Sequence, residues 1–344
     1  MPCENPFMKK IWGFLLRLVV SLAAVAGLVY LLRGKLDEAL AVVRKGLDWP
    51  WFLCAIGIYV IGLAVISRRF QLILRMQGVR IDFSKAFYVS FLGLFFNLFF
   101  PSALGGDVAK GYFVYEYSGK KLASLTGVLL DRLLGFFTIV LVALTALLAY
   151  SRNFASAAVV LRSLVVALIF IFLGIFFFSH RGFARKFQFL KFLIPSPKWR
   201  ENLSNFYHAV RGIKDHKGIL LVSLGVSLAA QVLFFVNSYL LAQSLGLQIS
   251  VWPFFVLMPL IFFVSMAPSL SGLGVREAGF VFFFKPFMAS EQAFALSLLY
   301  DFLFYGSAIL AGLLFALKGG LRRKVIHDLA AAEKLPEVGQ GGET

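Results

Sequence analysis

The sequence predicts an all-α fold: a polytopic membrane helical bundle, built as an inverted repeat with two re-entrant helical hairpins and about six full spans. Three observations lead there. The chain is 60% hydrophobic with 40 Phe among 344 residues, an apolar share well beyond that of soluble globular domains. Six apolar runs are long enough, or nearly so, to cross a hydrocarbon core that needs about 20 helical residues. One unusual segment also occurs twice, as Phe-Pro-Ser-Ala-Leu-Gly-Gly-Asp-Val-Ala-Lys-Gly from Phe100 to Gly111 and as Ala-Pro-Ser-Leu-Ser-Gly-Leu-Gly-Val-Arg-Glu-Ala-Gly from Ala267 to Gly279.

The first run, Ile11–Leu32, follows Lys9 and Lys10, exceeds a signal-peptide core and lacks a small-residue cleavage site after it, so it reads as a retained span. Trp51–Ile66, Leu122–Tyr150, Ala157–Ser179, Ile219–Leu245 and Gln292–Leu317 complete the six. Two further apolar stretches, Phe83–Tyr117 and Val251–Phe287, each hold one copy of the broken segment near the middle. Pro removes a backbone donor, Gly loosens a helix and a charge is costly to take out of water, so neither stretch reads as an ordinary span.

The formal net charge of +17 sits in short loops beside spans, which makes it a topology signal rather than a nucleic-acid footprint. Residues 180–218 carry nine Lys/Arg against two acids. With Lys9 and Lys10 cytoplasmic, positive-inside counting places 23 of the 34 Lys/Arg on that side, provided each broken stretch returns to the side it left. Three full crossings then separate the two stretches, so the hairpins enter from opposite faces. This predicts one membrane domain, 1–329, with inverted repeats at roughly 51–150 and 219–317, a cytoplasmic basic loop at 180–218 and a disordered tail at 330–344. Both termini are expected to be cytoplasmic, in a plasma membrane. The aromatic-basic segments of the loop read as a solvated, topology-setting connection, with an interfacial amphipathic helix as the alternative.

No enzyme, cofactor or metal site is expected. Cys3 and Cys54 make no disulfide framework or metal set, the four His fall in loops or the tail, and no nucleophile and base cluster together. Broken membrane segments at matching places in two halves point instead to a transporter's substrate site. Eight ionisable residues lie in or beside the broken stretches and the helices after them: Asp107, Lys110, Glu116, Asp131, Arg132, Arg276, Glu277 and Asp301. Lys110 and Arg276 stand at nearly the same offset from Pro101 and Pro268. Each half therefore offers one cation to an anionic group, aided by half-helices that begin after Gly105-Gly106 and Gly272-Leu273-Gly274. The competing reading is mutual neutralisation: Lys110 with Asp107, Arg132 with Asp131, and Arg276 with Glu277 or Asp301. Asp131 and Asp301 read as pairing partners for the cations rather than proton carriers. Pro101, Ser102, Gly105, Gly106, Pro268, Ser269, Gly272 and Gly274 shape the breaks, the serine hydroxyls satisfying freed backbone groups. Asn97 and Asn237 are expected to hydrogen-bond between helices.

At these motifs the chain resembles the flippase-like membrane domain family, also called the lysylphosphatidylglycerol synthase transmembrane region. The matching elements are Asn97 to Lys110, Leu130-Asp131-Arg132-Leu133-Leu134, and Pro268 to Ala278, and the resemblance covers nearly the whole length. It implies a multi-spanning plasma-membrane protein whose better understood members move aminoacylated phosphatidylglycerol between leaflets. Asp107 and Lys110 stand where the family pattern has Glu and Arg. No aminoacyltransferase domain follows the membrane part, so lipid aminoacylation by this chain is not expected. The reading is a lipid translocase for a polar-headgroup phospholipid, with Lys110 and Arg276 on the anionic group and Asp107, Asp131, Arg132, Glu277 and Asp301 around them. An ion- or proton-coupled transporter of a small polar solute, and a non-catalytic partner of a lipid-modifying or glycosyl-transferring enzyme, are the alternatives. Membrane phospholipid is the expected partner, nucleic acid is not, and an oligomer or partner enzyme stays open.

Overall fold

The computed structural model describes residues 41, 46–99, 105–150, 216–267, 269 and 271–317. The expected spans at Ile11–Leu32 and Ala157–Ser179, nearly all of the basic loop, the tail, Pro101, Ser102 and Pro268 lie outside the described residues. Among the described residues there are eight helices and no strand: α1 (Trp49–Met76), α2 (Phe83–Phe99), α3 (Gly105–Ser118), α4 (Lys121–Tyr150), α5 (Lys217–Ser244), α6 (Trp252–Val264), α7 (Val275–Phe284) and α8 (Ser290–Leu317).

Four of them, α1, α4, α5 and α8, are long and apolar enough to cross a membrane. At 28 residues, α1 rises about 42 Å, more than a hydrocarbon core of about 30 Å. By contrast α2, with 17 residues, and α6, with 13, fall short of a crossing. The chain is a multi-pass membrane protein, and large apolar side chains on its outer faces, such as Leu221, Phe282, Phe302 and Leu313, are exposed as lipid contact requires.

α1 and α5 end in the same way. Gly78 and Gly246 take φ of 69° and 70°, which lets Val79 N reach Leu74 O at 2.9 Å and Leu247 N reach Ala242 O at 3.1 Å. Each is a helix stop in which a left-handed glycine turns the chain back onto the last turn. The two helices lie against each other antiparallel: Asp48 N donates to Ser244 O at 2.9 Å, Asn237 Nδ2 to Ala55 O at 2.6 Å and Arg69 Nη1 to Ser227 Oγ at 2.9 Å. The Asn237 bond is the helix–helix contact expected of it.

Each broken stretch folds back on itself. In the first, Lys85 near the start of α2 lies 5.5 Å from the Tyr117 ring near the end of α3, and Asn97 Oδ1 accepts from Gly106 N at 2.8 Å close to the tip. Lys120 Nζ donates to Gly78 O at 2.9 Å, so the chain leaves the hairpin beside the loop by which it entered. In the second, Phe254 at the start of α6 and Phe284 at the end of α7 have ring centroids 4.9 Å apart. The first hairpin starts from the end of α1 and the second from the end of α5, and those ends are opposite because the helices are antiparallel.

The halves also exchange contacts. Phe95 and Phe96 of α2 pack on Phe315 of α8, while Phe262 and Phe263 of α6 pack on Phe136 of α4. Each hairpin thus rests on the long helix that follows the other hairpin.

Candidate functional site

Between the hairpin tips lies a cavity of about 410 Å³, a size suited to a polar headgroup or small solute. Its walls come from the middle of α1 and α5, through Tyr59, Leu63, Gln231 and Phe234, and from both hairpins. Lys110 of the first hairpin and Arg276 of the second both line it, together with Arg69, Asp107, Asp131 and Arg132. Glu277 and Asp301 do not line it. They lie behind Arg276, 4% and 7% exposed.

The tips are shaped by close approach. A Cβ on Gly106 would sit 2.2 Å from Gly93 O and 2.6 Å from Asn97 Oδ1, so only glycine lets α3 start against α2. α3 begins at Gly105 itself rather than after the glycine pair. In the second tip Ser271, Gly272 and Gly274 have φ of 53°, 86° and 79°, and Ser269 Oγ accepts from Gly272 N at 3.1 Å. The hydroxyl satisfies a backbone donor freed by the break, as read from the sequence. Arg276 N then donates to Gly272 O at 2.8 Å, opening α7 at Val275.

Two of the expected charge pairings are different in the structure. Asp131 pairs with Arg69 and not with Arg132: Arg69 Nε lies 2.7 Å from Asp131 Oδ1, with both side chains buried. Arg132 pairs with Asp107, and Lys110 makes no ion pair with that carboxylate. Successive helical residues point about 100° apart, so Asp131 and Arg132 face different neighbours. Arg276 does meet Asp301, Nη2 to Oδ1 at 2.5 Å.

The apolar run Trp51–Ile66 stops before Arg69, and positive-inside counting puts a basic residue at that place in a cytoplasmic loop. The helix continues to Met76, and Arg69 is only 5% exposed. Its Nη1 also reaches Ser227 Oγ, which lies 2.7 Å from Thr138 Oγ1, so α1, α4 and α5 are tied together at one guanidinium. A signal was present: Phe70, Ile73 and Leu74 continue the helical spacing of apolar residues past Arg69.

Lys110 and Arg276 sit in unlike surroundings. Lys110 Nζ lies 5.6 Å from the Phe70 ring centroid and, among the described residues, has no carboxylate at ion-pair distance. Arg276 is caged, its Cζ 4.8, 5.1 and 5.5 Å from the rings of Phe304, Tyr305 and Tyr300. Its contact with Asp301 is close but poorly aligned for a hydrogen bond, and Arg276 Nε and Nη2, Asp301 Oδ1 and Glu277 Oε2 are buried without an aligned partner among the described residues. The contact therefore acts as charge on charge, and ligand-facing capacity remains on Arg276. Ser90 Oγ, also on the cavity wall, is buried and unpartnered among the described residues. Glu116 is exposed and away from the cavity. Among the described residues no group of three His, Cys, Asp or Glu gathers as a metal set.

Counted along the cavity wall, four cations face two carboxylates, an excess that favours an anionic guest. No curated protein and no solved structure matches the chain. The family model described as lysylphosphatidylglycerol synthase TM region matches residues 14–312, and the chain belongs to that family.

Proposed function

We propose that this protein is a lipid translocase that moves a polar-headgroup phospholipid between leaflets and carries out no chemistry on it. The observation that carries this reading is that Lys110 and Arg276, one from each hairpin and from opposed halves, line a single cavity at mid-length of α1 and α5. The hairpins re-enter the membrane from opposite faces in this reading, bringing their tips together near mid-depth. A phosphate on the headgroup is met by Lys110 and, on the far wall, by Arg276, while acyl tails stay in the bilayer against the exposed apolar faces. The paired charges Arg69–Asp131 and Arg132–Asp107 keep the polar walls in place without adding net charge. Six spans with cytoplasmic termini in a plasma membrane complete the topology.

The test is the purified protein in phosphatidylcholine vesicles containing fluorescent phosphatidylglycerol. Label crossing to the inner leaflet faster than in protein-free vesicles, and lost in Lys110→Met, is the expected result. Uptake of a soluble solute under an imposed ion gradient, with no lipid movement, would replace this reading with a solute transporter.

A further inference from the structure

The face of α2 turned to the cavity is a helical stripe of Phe87, Ser90, Phe91, Leu94 and Asn97, in steps of about one turn. Two of the five are polar. Asn97 has a structural role, because its Oδ1 accepts from Gly106 N at the hairpin tip. Ser90 has none of this kind. The residue is 8% exposed, and its Oγ is buried without a hydrogen-bond partner among the described residues.

A serine inside an apolar helix can turn its hydroxyl back onto a carbonyl three or four residues earlier. Ser67, Ser238, Ser265 and Ser297 do so, to Leu63 O, Phe234 O, Ile261 O and Phe294 O at 2.7, 3.2, 2.6 and 2.7 Å. Ser90 does not. Of the buried hydroxyls that line the cavity among the described residues, Tyr59 is met by Ser307 Oγ, Ser67 by Leu63 O, and Ser269 by Gly272 N and Ala267 O. Ser90 is the one left unmet. The hydroxyls of Thr126, Ser223 and Tyr305 also lack an aligned partner, but none of the three lines the cavity. An unmet buried hydroxyl weighs against the fold, and on a cavity wall a guest can supply the missing acceptor.

Lys110 indicates the kind of guest. A Cβ on Gly93 would lie 2.7 Å from Lys110 Cε, so the lysine stem packs on α2 at Gly93, about one turn beyond Ser90. The lysine has no carboxylate at ion-pair distance among the described residues. An ammonium brings charge with little directional preference, and a hydroxyl brings one directed hydrogen bond without charge. On neighbouring turns the two suit different oxygens of one anion. Serine has a single χ1 bond to rotate, so its hydroxyl can swing toward such a guest while α2 stays in place.

We propose that Ser90 is a specificity-determining residue of the headgroup site, its hydroxyl donating to a phosphoryl oxygen whose charge Lys110 balances. The site then selects a phosphate ester over an uncharged polar headgroup. This deepens the translocase reading and rests on it. A phospholipid headgroup and a free phosphate ester share this chemistry, and the experiment separates them.

The full chain is placed in vesicles of digalactosyldiacylglycerol, which bring no competing phosphate, in a phosphate-free buffer. One set carries a trace of fluorescent phosphatidylglycerol, a second a trace of fluorescent glucosylceramide, whose headgroup has hydroxyls and no phosphate. The unmodified protein should move phosphatidylglycerol and leave glucosylceramide near the protein-free rate. Ser90→Ala should slow phosphatidylglycerol by about 10- to 100-fold, the loss of one hydrogen bond to a charged group. Its thermal unfolding midpoint in detergent should not fall, since the hydroxyl removed leaves no partner stranded. Phosphatidylglycerol moving at the unmodified rate in Ser90→Ala overturns the assignment. So does a lowered midpoint, which would show that Ser90 acts through the fold. Equal movement of both labels by the unmodified protein overturns phosphate selection, whatever the variant does. A third set has radiolabelled glycerol 3-phosphate outside. Its entry, lost in Ser90→Ala and without lipid movement, keeps the phosphate contact at Ser90 and removes the translocase reading alone. If no probe moves above the protein-free rate, both fall.

Discussion

Arg69 Nε and Asp131 Oδ1 are 2.7 Å apart although 62 residues separate them, and this buried pair joins α1 to α4 on the cavity wall. Removing one member leaves the other as an unpaired buried charge, at a cost of about 3–5 kcal/mol. Arg69→Met is therefore expected to lower the thermal unfolding midpoint in detergent sharply. The double change Arg69→Met with Asp131→Asn removes both charges and should recover most of the loss. A double variant no more stable than Arg69→Met would show that the pair is not what Arg69 contributes.

Gly106 is the tightest point in the first hairpin. A methyl group there would lie 2.2 Å from a backbone oxygen, which cannot move aside as a flexible side chain can. Gly106→Ala should destabilise by roughly 1–3 kcal/mol through overpacking and displace the start of α3. Asn97→Ala strands the Gly106 N–H and should cost about 1–3 kcal/mol by a different route. Unfolding of both variants in detergent, with fluorescence size-exclusion as the monodispersity check, measures this. A fully stable Gly106→Ala would contradict the close approach.

Lys110 Nζ lies over the Phe70 ring and has no carboxylate partner among the described residues, so its charge is not needed to neutralise a neighbour. Lys110→Met keeps the apolar stem that packs beside Gly93 and should change stability by less than about 1 kcal/mol. Losing one charge-assisted contact to phosphate, worth about 1.5–3 kcal/mol, should slow lipid movement by about 10- to 100-fold. Wild-type rates in a stable Lys110→Met protein would remove Lys110 from headgroup binding.

What the sequence made legible were the breaks, because Pro101, Gly105-Gly106 and Gly272 to Gly274 contrast with the apolar residues on either side. Cation placement was legible for the same reason: Lys110 and Arg276 stand at nearly the same offset from their prolines, and both line one cavity. Pairing was not. Which carboxylate meets which cation depends on the rotation of helices far apart in sequence, and nothing local to Asp131 or Asp107 reveals that their partners are Arg69 and Arg132. Arg69 was hidden for a simpler reason. A basic residue just past an apolar run reads as the start of a loop, whereas here the helix carries it to a buried acceptor.

Topology gives the sharpest check on the hairpins. Lys120 touches Gly78, so the two loops flanking the first hairpin are on one side. The antiparallel pairing of α1 and α5 puts the loops flanking the second hairpin, near Ile249 and Ala289, at the opposite end. In a background with Cys3 and Cys54 replaced by Ser, single cysteines at Asp82 and Lys120 should react with an impermeant maleimide from the same face of sealed vesicles. Cysteines at Ile249 and Ala289 should react together from the other face. If either stretch crosses the membrane as a continuous span, its two flanking cysteines will be labelled from opposite faces; a single crossing of the first stretch would also put the basic loop at 180–218 on the far side, against the positive-inside count. Labelling of all four from one face would leave each hairpin intact but remove the opposition between them, and with it the alternating access that the proposed translocase requires.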